Sequence, residues 1–407
     1  MSGEVHGPDP AIGAMRVNFR DPSFLVDHIR SILAFYDGRV VDPAGGFFHC
    51  YDNDGTVYDR STRTLVASCR FVFNYAMAWR RFRRPEYLAW TRHGLDYLRR
   101  AHRRPDGDGY VWRIEAGRAT DRTNHCYGLA FVLLAYATAL KAGIGEARDG
   151  IGETFALMER HFWHAADGLY RSEADPDWHL APYRGQNDNM HACEALIAAF
   201  EASGETAYLT RAATIAETVT RRLAGLAGGQ IWEHYHPDWS LDLDYGKGDR
   251  SNHIRPWGVQ TGHQTEWAKL LLMLDRHLPA PWHLERAMEL FDRAFDLGWD
   301  EVHGGLIYGY DLDGVACDQD KYFWVQAETI AAAALLASRS GNGKYWDRYE
   351  KVWDYAWANF VDHRYGAWYR LLSPDNKRYD NRKTYNNKAD YHTMGACHEV
   401  LRELEGD

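Results

Sequence analysis

The chain has 407 residues, of which 45% are hydrophobic, so it can bury a large core. Its formal charge is -10 without a long basic run, which argues against nucleic acid and anionic membranes as partners. The N-terminal sequence MSGEVHGPDPAIG lacks the apolar core of a signal peptide, and the six cysteines form no CxxC motif. We therefore expect a soluble cytoplasmic protein that does not bind a membrane.

Apolar residues recur at helical spacing in twelve segments. We predict helices over 21–36, 62–82, 86–102, 124–142, 147–163, 187–203, 206–224, 258–277, 283–297, 322–340, 345–361 and 389–404. Segments such as 124–142 and 322–340 are apolar nearly all round, whereas 345–361 is amphipathic. This alternation predicts an inner and an outer layer of helices.

A glycine motif, followed by aromatic or apolar residues, precedes the more apolar helix of each pair. Its glycines are Gly46, Gly109, Gly168, Gly229, Gly305 and Gly366. They recur at intervals of about 60 residues, with a longer fourth interval. Each motif predicts a short hairpin, because glycine reaches backbone angles that other residues avoid.

Six units of similar length predict an all-α fold, a closed (α/α)6 barrel of twelve helices with short β-hairpins in the connecting loops. We expect one domain over residues 1–407. An open superhelix of helix pairs is the alternative architecture.

Polar side chains occur near the start of every predicted inner helix. They are Arg70, His125, Asn187, Asn189, His191, His263, Glu266, Trp324, Gln326, Glu328, Lys388, Asp390, Tyr391 and His392. In a closed barrel these helix starts gather at one end. Burying polar groups on apolar helices costs free energy unless they share a function, so we predict an active site at that end.

His263 and Glu266 are three residues apart at a loop-to-helix junction, so they lie on one helix face. A lone histidine here is compatible with a structural role, but the recurrence of polar helix starts favours a catalytic one. His263, Glu266 and His392 could form a metal-ligand set on paper. Because neither HExxH nor HxxxH occurs, we predict no metal and no cofactor.

The segments RGQNDNMHACEA, WEHYHPDW, RPWGVQTGHQTEW, WVQAE and DYHTMGAC follow one another along the chain. Together they resemble the N-acylglucosamine 2-epimerase superfamily over most of the sequence. This superfamily includes cellobiose 2-epimerases, D-mannose isomerases and D-mannose 2-epimerases. The resemblance implies an (α/α)6 barrel and metal-free proton transfer at C2 of a reducing sugar.

The resemblance also implies roles for individual residues. His263 and His392 would be the acid/base pair, Arg70 would stabilise the enediolate oxygen, and Glu266 would orient His263. Asn187, His191, Glu233 and Glu328 would hold or orient the substrate. From the polar helix starts we add His125, Trp324 and Asp390 as predicted substrate-binding positions. We expect His392 to take the C2 proton and His263 to act as the acid. Such chemistry needs both a base of near-neutral pKa and a donor at the developing oxyanion.

The substrate is expected to be a free monosaccharide. The stretch 386–391, NNKADY, lacks the tryptophan that cellobiose epimerases place before the last catalytic histidine. The longer segment 234–258 could cover the pocket, although an ordinary surface insertion is an equal alternative. We predict isomerisation of D-mannose to D-fructose by a monomer or homodimer.

Alternative activities are epimerisation of D-mannose to D-glucose, then 2-epimerisation of cellobiose or an N-acylglucosamine. A different class, the inverting glycoside hydrolases, also uses (α/α)6 barrels, with two carboxylates flanking the bond. Glu266 with Glu328, or Asp188, could fill those positions. A non-enzymatic sugar- or protein-binding role is the third interpretation, which the six aligned polar helix starts disfavour.

Overall fold

The structure is a computed structural model that describes residues 17–249, 254–385 and 387–406. Within these ranges the chain forms twelve long helices. They are α1 (Pro22–Tyr36), α2 (Leu65–Phe82), α3 (Pro85–Tyr97), α4 (Cys126–Lys141), α5 (Ala147–His161), α6 (Gln186–Ser203), α7 (Thr206–Glu217), α8 (Thr261–Asp275), α9 (Pro281–Gly298), α10 (Phe323–Ser340), α11 (Gly343–Asn359) and α12 (Tyr391–Glu405). A π-helical turn extends α3 over Leu98–His102. Another extends α7 over Thr218–Leu223 and leads into the helical turn Ala224–Leu226.

The even-numbered helices form a closed inner ring. Each contacts the next in the order α2, α4, α6, α8, α10, α12, and α12 returns to α2. The odd-numbered helices lie outside, each against the inner helix of its pair, and α1 packs on α12 to complete the sixth pair. The (α/α)6 barrel is therefore confirmed, and the open superhelix is excluded by the contact between α12 and α2.

Burial follows the predicted layers. Every residue of α8 from Thr261 to Leu274 is buried, as expected for a helix enclosed on all sides. The outer helix α9 buries a single stripe that includes Ala287, Leu290, Phe291 and Ala294, at helical spacing. The core therefore lies between the two rings and inside the inner one.

Sixteen short strands occupy the connections within the described ranges. They are β1 (Cys50–Tyr51), β2 (Val57–Asp59), β3 (Thr62–Thr64), β4 (Arg113–Glu115), β5 (Arg118–Asp121), β6 (Asn124–His125), β7 (Trp163–His164), β8 (Leu169–Tyr170), β9 (Glu173–Ala174), β10 (Arg184–Gly185), β11 (His234–Tyr235), β12 (Val259–Gln260), β13 (Gly309–Tyr310), β14 (Ala316–Asp318), β15 (Lys321–Tyr322) and β16 (Leu371–Leu372). They form antiparallel sheets of two or three strands.

These sheets link neighbouring units. The strand before each of five inner helices pairs with the glycine hairpin of the next unit: β3 with β4, β6 with β9, β10 with β11, β12 with β13, and β15 with β16. In the fourth link, Val259 opposes Tyr310 and Gln260 opposes Gly309. A bridge between Asp52 and Arg382 joins the first unit to the sixth. The hairpins therefore form a second ring that holds the starts of the inner helices together.

The motif glycines all have positive φ angles, as the sequence pattern predicted. At Gly366 the requirement is strongest, with φ at 84°. A Cβ atom there would lie 2.5 Å from the carbonyl oxygen of Ser31 in α1. Glycine therefore permits the sixth hairpin to pack directly on the backbone of α1.

Across the part of the chain that the structure describes, no helix has both the length and the apolar character needed to cross a membrane. Four residues of the predicted pocket cover, 250–253, and Asn386 of the stretch before His392 lie outside the described residues.

Candidate active site

A cavity of about 260 Å³ lies at the N-terminal end of the inner ring. The predicted site residues that line it are Arg70, Asn187, His191, His263, Glu266, Trp324 and His392. They come from α2, α6, α8, α10 and α12, and each lies in the first two turns of its helix. The repeat register therefore brings these side chains to one place.

His392 is held on one side by a carboxylate. Its Nδ1 lies 2.6 Å from Oε1 of Glu328. When Glu328 is ionised it can only accept, so Nδ1–H is then the donor and Nε2 carries the lone pair. Nε2 lies 3.4 Å from Nη2 of Arg70. Burial, followed by the charge of Arg70, holds the pKa of His392 well below its ordinary value, so the imidazole is neutral and has a lone pair that can accept a proton.

His263 has the same arrangement with a different partner. Its Nδ1 lies 2.9 Å from Oε1 of Glu233, in the loop that precedes β11. Gln186 donates from Nε2 to the other oxygen of Glu233 at 2.9 Å, and its own oxygen accepts from Trp267 at 2.7 Å. The prediction that Glu266 orients His263 is therefore wrong. Residues three apart share a helix face, but the imidazole bonds to a carboxylate of the preceding loop.

Glu266 differs from Glu233 and Glu328, because within the described ranges it does not hydrogen-bond to a histidine. Among the described residues neither of its carboxylate oxygens has a hydrogen-bond partner, although the side chain is buried. Burial, followed by the negative charge of Glu328, raises the pKa of Glu266 well above its ordinary value. The raised pKa favours the protonated form of Glu266, which can donate to a ligand oxygen in the cavity.

Arg70 and Trp324 stand next to the histidines. Arg70 donates to the backbone oxygen of Asn387 at 2.7 Å and to the hydroxyl of Tyr127 at 3.2 Å, which fixes its guanidinium at the cavity wall. The Trp324 ring is 5.0 Å from the ring of His263 and 5.7 Å from that of His392, centroid to centroid. Both imidazoles therefore border the same indole, which offers a flat wall to a sugar ring.

Two predicted substrate-binding residues do not line the cavity. The ring of His125 packs against Trp112, with ring centroids 4.2 Å apart, and its Nδ1 is 3.5 Å from Glu173. Asp390 is fully buried and bonds to the hydroxyl of Tyr36 and, at 2.7 Å, to Nζ of Lys388. Both stand at the start of an inner helix as predicted, but their side chains bond to other protein groups and do not line the cavity. Glu233 and Glu328 also lie outside the cavity surface, behind the histidines that they hold.

Sequence reasoning missed several cavity residues. They include Trp112, Arg113, Tyr127, Tyr308, Arg370, Tyr385 and Asn387. Asn187 and Asn387 each present a buried side-chain oxygen without a hydrogen-bond partner in the described residues, which suits a sugar hydroxyl. Trp112, Arg113 and Tyr308 come from or adjoin the glycine hairpins. The aromatic residues that follow the motif glycines could have indicated these cavity residues, but the same sequence pattern is also typical of an ordinary turn.

Two groups of side chains have the donor types of a metal site: His191, Glu194 and Glu266, and Glu266, Glu328 and His392. Lys269 already supplies a positive charge there, since its Nζ lies 2.5 Å from Glu328 and 3.9 Å from Glu266. Glu194 accepts from the Tyr391 hydroxyl and lies 3.2 Å from Nδ1 of His191. Apart from Glu266, the donors are engaged with one another or with Lys269 and Tyr391, and they fit a charge network better than a metal centre.

The same contacts bear on hydrolysis. An inverting hydrolase needs two carboxylates separated by roughly 6.5–9.5 Å, with room for a water. Oxygen atoms of Glu266 and Glu328 lie within 4.8 Å of each other, and Glu328 is engaged by His392 and Lys269. Asp188 does not line the cavity. The arrangement favours proton transfer by histidines over hydrolysis by carboxylates.

Comparison with known proteins agrees with this geometry. Residues 46–396 match the N-acylglucosamine 2-epimerase (GlcNAc 2-epimerase) family. The chain is 50% identical over 388 residues to a D-mannose isomerase of Marinomonas mediterranea, covering 95% of this chain and 98% of that one. A crystal structure of D-mannose isomerase superposes with a TM-score of 0.94 at 49% identity, over 95% of this chain and 99% of that one.

A cellobiose 2-epimerase from Spirochaeta thermophila has a TM-score of 0.84 at 23% identity, over 95% of this chain and 96% of that one. At this identity the likeness shows a shared fold.

Proposed function

The chain belongs to the N-acylglucosamine 2-epimerase family, and on that basis we propose that it is an isomerase that converts D-mannose to D-fructose. The observation that carries the proposal is the pair of histidines on one small cavity, each held at Nδ1 by a glutamate. The near-full-length similarity to a D-mannose isomerase supports the choice of sugar.

Proton abstraction is assigned to His392. Its neutral Nε2 takes the proton from C2 of the open-chain aldose, and the electron pair moves to the C1 carbonyl to give a cis-enediolate. Arg70, 3.4 Å from that nitrogen, stabilises the developing negative charge. His392 then returns the proton to C1, while the C2 hydroxyl proton moves to O1 and C2 becomes the ketone. The sugar therefore neither gains nor loses a proton overall.

His263 and Glu266 serve the oxygen atoms. His263 is proposed as the acid in ring opening, and Glu266, whose raised pKa favours the protonated form, is proposed to donate to O1 or O2 as charge develops there. Asn187, His191 and Trp324 line the same cavity and are proposed to hold the sugar. Glu233 and Glu328 are positioning residues, because each bonds to a histidine rather than facing the cavity.

The size of the cavity supports a single sugar unit. Its volume of about 260 Å³ falls below the roughly 300–1,000 Å³ of pockets for drug-sized ligands. Aromatic rings of Trp112, Tyr308 and Trp324 form part of the wall. One pyranose fits this space better than a disaccharide does.

The test is the product formed from D-mannose in deuterated water, followed by NMR. We expect D-fructose with deuterium at C1, and no product with a His392→Ala variant. Deuterated D-glucose as the main product would show a 2-epimerase instead. Parallel reactions with cellobiose and N-acetylglucosamine test the remaining alternatives, and an inert protein with all three sugars would overturn the proposal.

We further propose a single functional domain working in the cytoplasm, as a monomer or homodimer. All six cysteines are free thiols, which is typical of proteins in a reducing compartment. Light scattering of the purified protein measures the oligomeric state, and a species larger than a dimer would contradict the assignment.

A further inference from the structure

A buried ion pair lies directly behind the proposed catalytic base. Lys269 of α8 reaches Oε2 of Glu328 in α10 at 2.5 Å. The other oxygen of Glu328 lies 2.6 Å from Nδ1 of His392 in α12. The three side chains are deeply buried, with exposed fractions of 5%, 2% and 6%. Three neighbouring inner helices are therefore joined by an ammonium–carboxylate–imidazole chain that ends at the cavity.

The second histidine has no comparable cation among the residues described. Glu233, the partner of His263, receives its other hydrogen bond from the neutral amide of Gln186 at 2.9 Å. The two imidazoles therefore differ in what stands behind their carboxylates. This asymmetry matches a division into one base and one acid.

The cation beside Glu328 favours the ionised form of its carboxyl. The pKa of this carboxyl is raised, with burial as the largest cause, and Lys269 acts in the opposite direction through its charge and its hydrogen bond. Burial alone would lower the pKa of Lys269, but the neighbouring acidic groups, Glu328 first, raise it above its ordinary value, so the ammonium group remains charged. Without that charge a carboxyl at this depth would hold a proton.

The ionisation of Glu328 in turn determines the tautomer of His392. An ionised Glu328 can only accept, so Nδ1 carries the hydrogen and Nε2 is free to take a proton. A protonated Glu328 would donate to Nδ1 and favour the tautomer with hydrogen on Nε2. That tautomer faces the cavity with a donor and cannot act as the base.

We propose that Lys269 is a positioning residue that keeps Glu328 ionised, so that His392 presents an unprotonated Nε2 to C2 of the sugar. The proposal rests on the proposed function of His392, and Lys269 itself does not touch the substrate cavity.

The test compares Lys269→Met and Lys269→Arg with a control, Lys141→Met. Lys141 also forms an ion pair with a glutamate, Glu201, but it is the last residue of α4 and lies at the opposite end of the barrel. For each protein, kcat and KM for D-mannose are measured, and the ring nitrogens of His392 are observed by NMR after ¹⁵N-histidine labelling. The His392 signals are assigned by their loss in His392→Ala.

For Lys269→Met we expect kcat to fall roughly 10²–10⁴-fold, the usual worth of a positioned base, with KM changed only a few-fold. The His392 signals should move from the Nδ1–H to the Nε2–H pattern. Lys269→Arg keeps the charge and should restore the Nδ1–H pattern and most of kcat. Lys141→Met should resemble the wild type in both measurements.

A Lys269→Met protein that keeps the Nδ1–H pattern, whether active or not, would overturn the proposal. If Lys269→Met does not fold, the double variant Lys269→Met/Glu328→Gln replaces it, because it also removes the buried carboxylate left without its cation. A near wild-type kcat in this double variant would equally overturn the proposal. The NMR result does not depend on the sugar used. A wild type inert towards D-mannose would therefore refute the proposed activity while leaving the effect of Lys269 on His392 measurable.

Discussion

Oε1 of Glu328 lies 2.6 Å from Nδ1 of His392, on the side of the imidazole that faces away from Arg70. The two residues belong to adjacent inner helices, 64 positions apart in the sequence. This bond orients the ring and, when Glu328 is ionised, places the ring proton on Nδ1. The lone pair therefore points towards the cavity before any sugar binds, which is the condition for a base that needs no reorganisation.

Replacing Glu328 by glutamine should remove this control with little change in size. The amide can donate to Nδ1, which favours the wrong tautomer, so we expect kcat to fall roughly 10²–10⁴-fold. The fall is measured with D-mannose at saturation, and KM should change much less.

The matched control is Glu233→Gln, which alters the same bond at His263. This variant should also be slow in turnover, but it should still exchange the C2 proton of D-mannose with solvent. Loss of exchange in Glu233→Gln and its retention in Glu328→Gln would reverse the assignment of the two histidines.

The sequence predicted the helices well because their signals are local and repeated. All twelve predicted segments correspond to observed helices, since apolar spacing and the motif glycines mark both faces and ends. The π-helical turns Leu98–His102 and Thr218–Leu223 were not predicted. They share the apolar spacing of the α-helices that they extend, so the pattern could not distinguish them.

The site was predicted in its location but only partly in its contacts. Position in the repeat placed His263, His392 and Arg70 at one end of the barrel. Position alone could not show that His263 bonds to Glu233, which lies 30 residues earlier in a loop, rather than to its helical neighbour Glu266. The same limit applies to His125, since a residue at a helix start can point into the cavity or away from it.

Gly366 should tolerate alanine poorly. Its φ of 84° is strained for any L-residue, and the new Cβ would lie 2.5 Å from a backbone oxygen of Ser31 that cannot move aside as a side chain could. We expect a loss of roughly 2–4 kcal/mol in the free energy of unfolding, measured with urea.

Gly38→Ala provides the comparison. Gly38 has a similar φ of 78°, but among the described residues no atom beyond its chain neighbours lies within 4 Å of the point that a Cβ would occupy. This variant should lose only the backbone contribution, roughly 1–2 kcal/mol. Equal losses in the two variants would show that the sixth hairpin does not pack on α1 as described.

Acid should destabilise the protein partly through His398. Burial, followed by the charges of Arg81 and Arg80, lowers the pKa of His398 from 6.5 to about 3. Between these values the unfolded chain binds a proton at this residue and the folded chain does not. The free energy of unfolding should therefore fall as the pH drops below about 6.5, by roughly 1.4 kcal/mol per pH unit for this group.

A His398→Gln variant isolates that contribution, since His398 lies outside the cavity. Urea unfolding of both proteins at pH 7.5 and pH 5 should show a smaller loss in the variant, by roughly 2 kcal/mol. Their kcat values at pH 7.5 should agree. Parallel losses on acidification would mean that His398 takes up its proton in the folded state as well.

The division of labour between the two histidines is tested most directly by exchange of the C2 proton of D-mannose in deuterated water. The rate is followed by NMR for the wild type, His263→Ala and His392→Ala, with long incubation so that spontaneous ring opening supplies the open-chain sugar. We predict slow exchange with His263→Ala, because His392 remains in place, and almost none with His392→Ala. The opposite pattern would make His263 the base, and undiminished exchange in both variants would contradict histidine-mediated proton transfer altogether.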